Sequence, residues 1–153
     1  MEYDFLLRIF VAAVLGGLIG LEREYRAKEA GLRTHFLVAL GSALFMIVSA
    51  YGFEGVMTTA EHRWDVSRVA AQVVSGIGFI GAGTIIFRKA ENIVSGLTTA
   101  AGLWVTAAIG LACGAGMYEL ATAATVLVLF GLEAFNFVLH KFDKHRQSSS
   151  ERE

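Results

Sequence analysis

Proline is absent from this sequence, and cysteine occurs once, as Cys113. A single cysteine excludes an intramolecular disulfide, and its place in an apolar run suits a small buried hydrophobe. Charge is scarce as well: Asp, Glu, Lys and Arg make up 18% of the 153 residues, against 55% hydrophobic ones. With a mean hydropathy of +0.56, the chain lacks the polar surface that a soluble domain of this size needs. The familiar catalytic patterns are also missing. There is no G-x-S-x-G, H-E-x-x-H, phosphate-binding loop or Cys/His metal spacing, so no nucleophile stands beside a base. An enzyme is therefore not expected, nor is a bound metal or cofactor. The net charge of -1 speaks neither for nor against a charged partner, and no nucleic-acid partner is expected.

What is present in abundance is long apolar sequence. A helix rises ~1.5 Å per residue, so ~20 apolar residues cross a ~30 Å hydrocarbon core. Five stretches have that length, at about residues 3–21, 35–53, 67–87, 96–115 and 118–139, and the charges are swept into the gaps between them. The expectation is an all-α, polytopic transmembrane bundle of five helices in one domain, residues 1–140, with a polar tail over 141–153 that frays. The segment before the first stretch carries Glu2 and Asp4 where a signal peptide would be basic, so this span is expected to stay.

Orientation follows from the basic residues. Arg23, Arg26, Lys28 and Arg33, then Arg88 and Lys89, then Lys141, Lys144, Arg146 and Arg152 fall on one side, ten against Arg63 and Arg68 on the other. Basic loops favour the cytoplasm, so the N-terminus is expected outside and the C-terminus inside.

The 17 glycines lie mainly within the apolar stretches. In lipid, helices associate where small residues let backbones approach, and Gly16, Gly20, Gly76, Gly78, Gly81 and Gly83 are read as packing positions. Residues 76–81 also spell G-x-G-x-x-G, but the strand before it and the acidic residue after it that a dinucleotide site needs are missing.

Ionisable groups at membrane depth are costly and draw attention first. Glu133 lies about fifteen residues into the last stretch, where it is either paired within the bundle or part of a proton- or cation-responsive site. Arg8 and Arg68 sit near the outer face, able to snorkel or to pair with Asp4, Asp65 or Glu119. At the opposite rim, Glu22 and Arg23 leave the first span, Arg33, Thr34 and His35 enter the second, and Asn92 with Thr98 and Thr99 precede or enter the fourth. Two helix N-termini meet there, favouring a nearby anion or carboxylate, which Glu22 could supply; simple helix capping explains the same residues. Gly31-Leu-Arg-Thr and Gly96-Leu-Thr-Thr open the second and fourth spans alike, an echo that suggests two parallel hairpins with a fifth helix added.

Four ordered segments carry a resemblance: Gly16-Gly-Leu-Ile-Gly-Leu-Glu-Arg-Glu24, Gly31-Leu-Arg-Thr-His-Phe-Leu-Val-Ala-Leu-Gly41, Arg68-Val-Ala-Ala-Gln-Val-Val-Ser-Gly-Ile-Gly-Phe-Ile-Gly-Ala-Gly83 and Gly96-Leu-Thr-Thr-Ala-Ala-Gly-Leu-Trp104. Together they resemble the MgtC/SapB family of bacterial inner-membrane proteins over most of the chain. The resemblance implies a multi-pass inner-membrane protein linked to magnesium limitation. For MgtC it also implies inhibition of the F-type ATP synthase, while magnesium transport is not the family's established activity. It places Asn92 where a functionally important asparagine occurs, and Glu22, Arg23, Arg33, Thr34, His35, Arg68 and Gln72 within family motifs that have no assigned role. MgtC carries a soluble domain after its membrane part, whereas this chain is expected to be the short, membrane-only form. Two functions follow as expectations: a non-enzymatic regulator that binds another membrane protein or a second copy of itself, or an oligomeric cation channel or transporter.

Overall fold

The computed structural model describes residues 2–53, 65–88 and 93–150. Five helices run in chain order, α1 Glu2–Tyr25, α2 Leu32–Tyr51, α3 Ser67–Gly83, α4 Leu97–Gly114 and α5 Tyr118–Ser150, with two short strands, β1 Ile86–Arg88 and β2 Ile93–Ser95, between α3 and α4. Among the described residues, three helices are long and apolar enough to cross a membrane, with mean hydropathies of 2.0, 1.7 and 1.5 over Asp4–Tyr25, Leu32–Tyr51 and Leu97–Gly114. At 17 residues, α3 reaches only about 26 Å.

Helices α1, α2 and α4 form the centre, with α3 laid against α4 and α2, and α5 against α4 and α1. Small side chains make this possible. The main core cluster is Ala12, Leu15, Ile19, Ala39, Ala43, Ile109, Cys113 and Ala121, so the helix axes approach closely and backbones touch. A Cβ on Gly16 would stand 2.7 Å from the His35 carbonyl oxygen, and one on Gly20 2.7 Å from the Leu32 Cα. From the other side, a Cβ on Gly114 would stand 2.6 Å from the Ala43 carbonyl. Large apolar side chains instead point outward: Phe10, Phe45, Phe79, Leu127 and Phe130 are all exposed, as is Trp104. That inversion, with small residues inside and large ones outside, is the arrangement lipid favours.

At the end of the bundle where α4 turns into α5, Arg8 ties the elements together. Its guanidinium donates to the Gly114 carbonyl at 2.8 Å and to the Tyr51 hydroxyl at 3.3 Å, pairs with Asp4 at 2.6 Å, and lies over the Phe5 and Tyr51 rings. Through its two terminal nitrogens Arg8 thus acts as a clamp between α1, α2 and α4, while its Nε is buried without a partner.

One boundary differs from the sequence reading. The third apolar stretch was expected to stay helical to residue 87, yet α3 ends at Gly83, where the Thr84 hydroxyl donates back to the Gly81 carbonyl at 2.7 Å. Ile86 to Arg88 then pair antiparallel with Ile93 to Ser95. Hydropathy cannot distinguish an apolar strand from the end of an apolar helix, and the β-branched Ile86, Ile93 and Val94 with the aromatic Phe87 suit a ribbon. At the other end, the helical backbone of α5 runs to Ser150, and no glycine or proline follows Gly131 to stop it.

Candidate functional site

The polar groups converge at the end of the bundle formed by the C-terminus of α1, the N-termini of α2 and α4, and β2. Helix α1 stops in a tight left-handed turn: the Lys28 amide donates to the Arg23 carbonyl and the Ala27 amide to the Glu24 carbonyl, both at 3.0 Å, with Ala27 at φ 50°. This is the Schellman arrangement, usually built on glycine. It turns Lys28 and Glu29 back along α1, and the following Ala30 is anchored in a second apolar cluster with Ile77, Leu103 and Ala107.

Connections across this end are specific. Glu24, on α1, accepts the Leu32 amide at 2.9 Å, supplying the cap that Gly31 cannot give α2. Glu29 accepts the hydroxyl of the buried Thr99 at 2.7 Å. Arg26 donates to Glu133 of α5, and that carboxylate raises the Arg26 pKa. The Arg23 guanidinium is only 2% exposed; its Nε donates to Glu22 while one terminal nitrogen has no partner. His35 is fully buried, with Nδ1 3.0 Å from the Gly31 carbonyl oxygen, so that nitrogen carries the proton. Its Nε2 has no partner and faces Gly102, where an added Cβ would lie 3.5 Å away.

Between these elements lies a cavity of about 480 Å³, walled by Arg23, Lys28, Glu29, Leu132 and the run from Val94 to Thr99. A second, more apolar groove of about 640 Å³ separates α2 from α3, with Ser42 and Gln72 as its polar members and Gly41 and Gly76 on its walls.

The residues singled out from sequence therefore divide. Glu22, Arg23, His35, Thr98 and Thr99 come together at the rim, and Glu133 joins them through Arg26. Glu133 is exposed and ion-paired with Arg26. Arg33 is exposed and Thr34 half-buried on α2. Arg68 stands at the start of α3, near Asp65 at 3.7 Å, on the end where Ser49 of α2 donates to the Val66 carbonyl. It is therefore remote from the rim. Asn92 lies outside the described residues. Sequence reasoning missed Arg26 as a partner, and Lys28, Glu29 and Ser95 as cavity residues; the one available signal was that Ser95 immediately precedes the Gly96-Leu-Thr-Thr segment. Among the described residues, His, Cys, Asp and Glu form no group of three that could hold a metal ion.

The packing glycines divide too. Gly16 and Gly20 lie at the α1–α2 crossing, and Gly81 meets Ala100 of α4 at ordinary contact distance. Among the described residues, Gly76, Gly78 and Gly83 have nothing within 4 Å of an added Cβ. Helical periodicity puts them on the faces of α3 turned away from α4.

The profile of the MgtC family matches residues 9–141. YhiD of Escherichia coli K12, named as a candidate magnesium transporter, is 56% identical over 136 residues, which is 89% of this chain and 62% of that protein. SapB of Bacillus subtilis 168 is 41% identical over 149 residues, 95% of this chain and 62% of its own length. MgtC of Salmonella typhimurium 14028s is 47% identical over 129 residues, 84% of this chain and 51% of its own. The chain thus spans about half to three fifths of the length of these relatives. No solved structure matches.

Proposed function

The chain belongs to the MgtC family, and on that premise we propose that it is a non-enzymatic regulator in the bacterial inner membrane. It would act in magnesium homeostasis by binding another membrane protein. The carrying observation is the open space beside the glycines of α3: among the described residues, nothing lies within 4 Å of a Cβ added at Gly76, Gly78 or Gly83, nor at Gly41 across the groove. Small residues exposed in lipid are where another helix can seat. The reading takes all five helices as spans, N-terminus outside, because the basic residues of the α1–α2 turn and Arg88 of the ribbon share one end of the bundle. The candidate partners are a second copy of the chain and the F-type ATP synthase. Co-purification in mild detergent tests this: the wild-type protein should bring down tagged copies of itself or ATP synthase subunits, and Gly76→Leu with Gly78→Leu should lose them. Absence of both partners from the wild-type sample would overturn the proposal.

A second reading, a cation channel or transporter, draws on Gln72 and Ser42 in the α2–α3 groove and on the name given to YhiD. Uncharged oxygens at membrane depth can guide a hydrated ion only if several copies surround a wet path. Liposomes holding a magnesium-sensitive dye would show flux that falls in Gln72→Leu. No flux from folded protein removes this reading.

A further inference from the structure

We propose that the rim cavity is a binding site for a phosphate oxyanion. This inference goes beyond the regulatory reading and does not depend on it. Helix α4 opens onto the cavity with a glycine at its N-cap, at φ 87°. A side chain there is forbidden, because a Cβ would run into the Thr84 carbonyl, so the Ser, Asp or Asn that usually satisfies a helix start cannot occupy this position. The first amides of an 18-residue helix therefore face the cavity with the positive end of its dipole behind them.

A second, independent observation points the same way. Arg23 is 98% buried yet leaves a terminal nitrogen without a partner, and the Ser95 hydroxyl oxygen in the same wall has none either. A buried guanidinium donor left unmade costs more than a neutral one, so a fold that keeps it beside a cavity is set up for an acceptor. Lys28 stands on the same wall. Glu22 Oε1 is also without a hydrogen bond, but Glu22 is paired to Arg23 through its other oxygen and is not part of the cavity wall; a metal cation in the cavity would meet Arg23, Lys28 and the helix dipole with the wrong sign. A tetrahedral phosphate offers several acceptor oxygens to donors arriving from α1, β2 and α4. The cavity exceeds what the bare ion fills, so an esterified phosphate fits, whether a lipid headgroup or a soluble phosphate. Glu29 is the opposing charge: it is held on Thr99 and limits how tightly the anion binds.

The test follows thermal unfolding of the protein in phosphatidylcholine nanodiscs, titrated with inorganic phosphate against chloride at constant ionic strength. A parallel arm replaces part of the lipid with phosphatidic acid. A ligand that binds only the folded state raises the transition temperature saturably. Arg23→Lys should raise the half-saturating concentration by about tenfold, and Lys28→Gln by about threefold. Glu29→Gln, whose amide oxygen still accepts from Thr99, should lower it by about threefold. Arg33→Gln, which removes an exposed charge from α2 outside the cavity, should leave it unchanged. Should Arg23→Lys fail to fold, the opposite signs of the Lys28 and Glu29 variants still decide. Saturation in the phosphate arm identifies a soluble ligand, and saturation in the lipid arm alone identifies a headgroup; either supports the site. No saturable response in either arm, or equal midpoints across the variants, overturns it.

Discussion

Gly16→Val tests whether the bundle rests on backbone contact between α1 and α2. The new Cβ would stand 2.7 Å from the His35 carbonyl oxygen and 2.5 Å from the Ala39 Cβ. Neither neighbour can rotate aside, since one is backbone and the other is the first atom of its side chain. The helices must part by roughly half an ångström or more, and overpacking of this kind costs about 1–3 kcal/mol. Helix propensity does not rescue the change, because valine gains only a few tenths of a kcal/mol over glycine. Cys113, fully buried in the same core cluster, reports the opening as the only thiol in the chain. If labelling proceeds through the opened state, 1–3 kcal/mol corresponds to roughly 5- to 150-fold faster modification by a maleimide. Gly76→Val provides the matched control, since a Cβ there meets nothing within 4 Å, and its labelling rate should match the wild type. Equal rates for Gly16→Val and wild type, or equal acceleration by both substitutions, would refute the packing argument.

Other consequences are simpler to read. Glu24→Ala removes the acceptor for the Leu32 amide and should lower stability in detergent by about 1 kcal/mol, whereas Glu24→Gln keeps an acceptor and should recover most of it; identical melting of the two variants would contradict the capping role. Gly96→Ala combines a positive φ with a collision against the Thr84 carbonyl and should cost at least about 1–3 kcal/mol in thermal unfolding, so an alanine variant as stable as wild type would mean that this turn is wrongly placed. Asp65 sits below the usual carboxylate range because the Ser67 hydroxyl and then the Ser67 amide hydrogen-bond to it. A depressed folded-state value means its contribution is present above the ordinary carboxylate range and lost as pH falls through the lowered value. Ser67→Ala should therefore shift the Asp65 titration upward, as read from its side-chain carbon resonance, and an unmoved titration would dismiss the contact.

The rim shows how a membrane bundle can hold polar groups without a soluble domain's surface. Two contacts there join different elements: Glu24 of α1 caps the start of α2, and Glu29 of the turn holds the Thr99 side chain of α4. Arg26 joins the turn to Glu133 of α5. These connections cross the bundle laterally, so a change in any one helix is felt at the cavity.

Much of this protein was legible in its sequence because the deciding physics is local. Twenty apolar residues in a row need a hydrocarbon solvent whatever their neighbours do, so the membrane class, the helices and their order follow from hydropathy and length. The small-residue crossing at Gly16 and Gly20 was equally visible, since a spacing of four puts both on one helix face. Hydropathy misread the stretch after Gly83, where a run of apolar residues leaves the helix to form a strand. What the tertiary structure alone decided concerns residues far apart in the chain. Gly76 and Gly16 look alike in sequence, yet one meets open space and the other the backbone of α2. Glu133 and Arg26 are 107 positions apart, and no periodicity predicts that they meet. Arg23, Ser95 and the start of α4 make a cavity only because α1 and α4 are brought side by side, and the unmet donors in its wall exist only once the chain has folded around them.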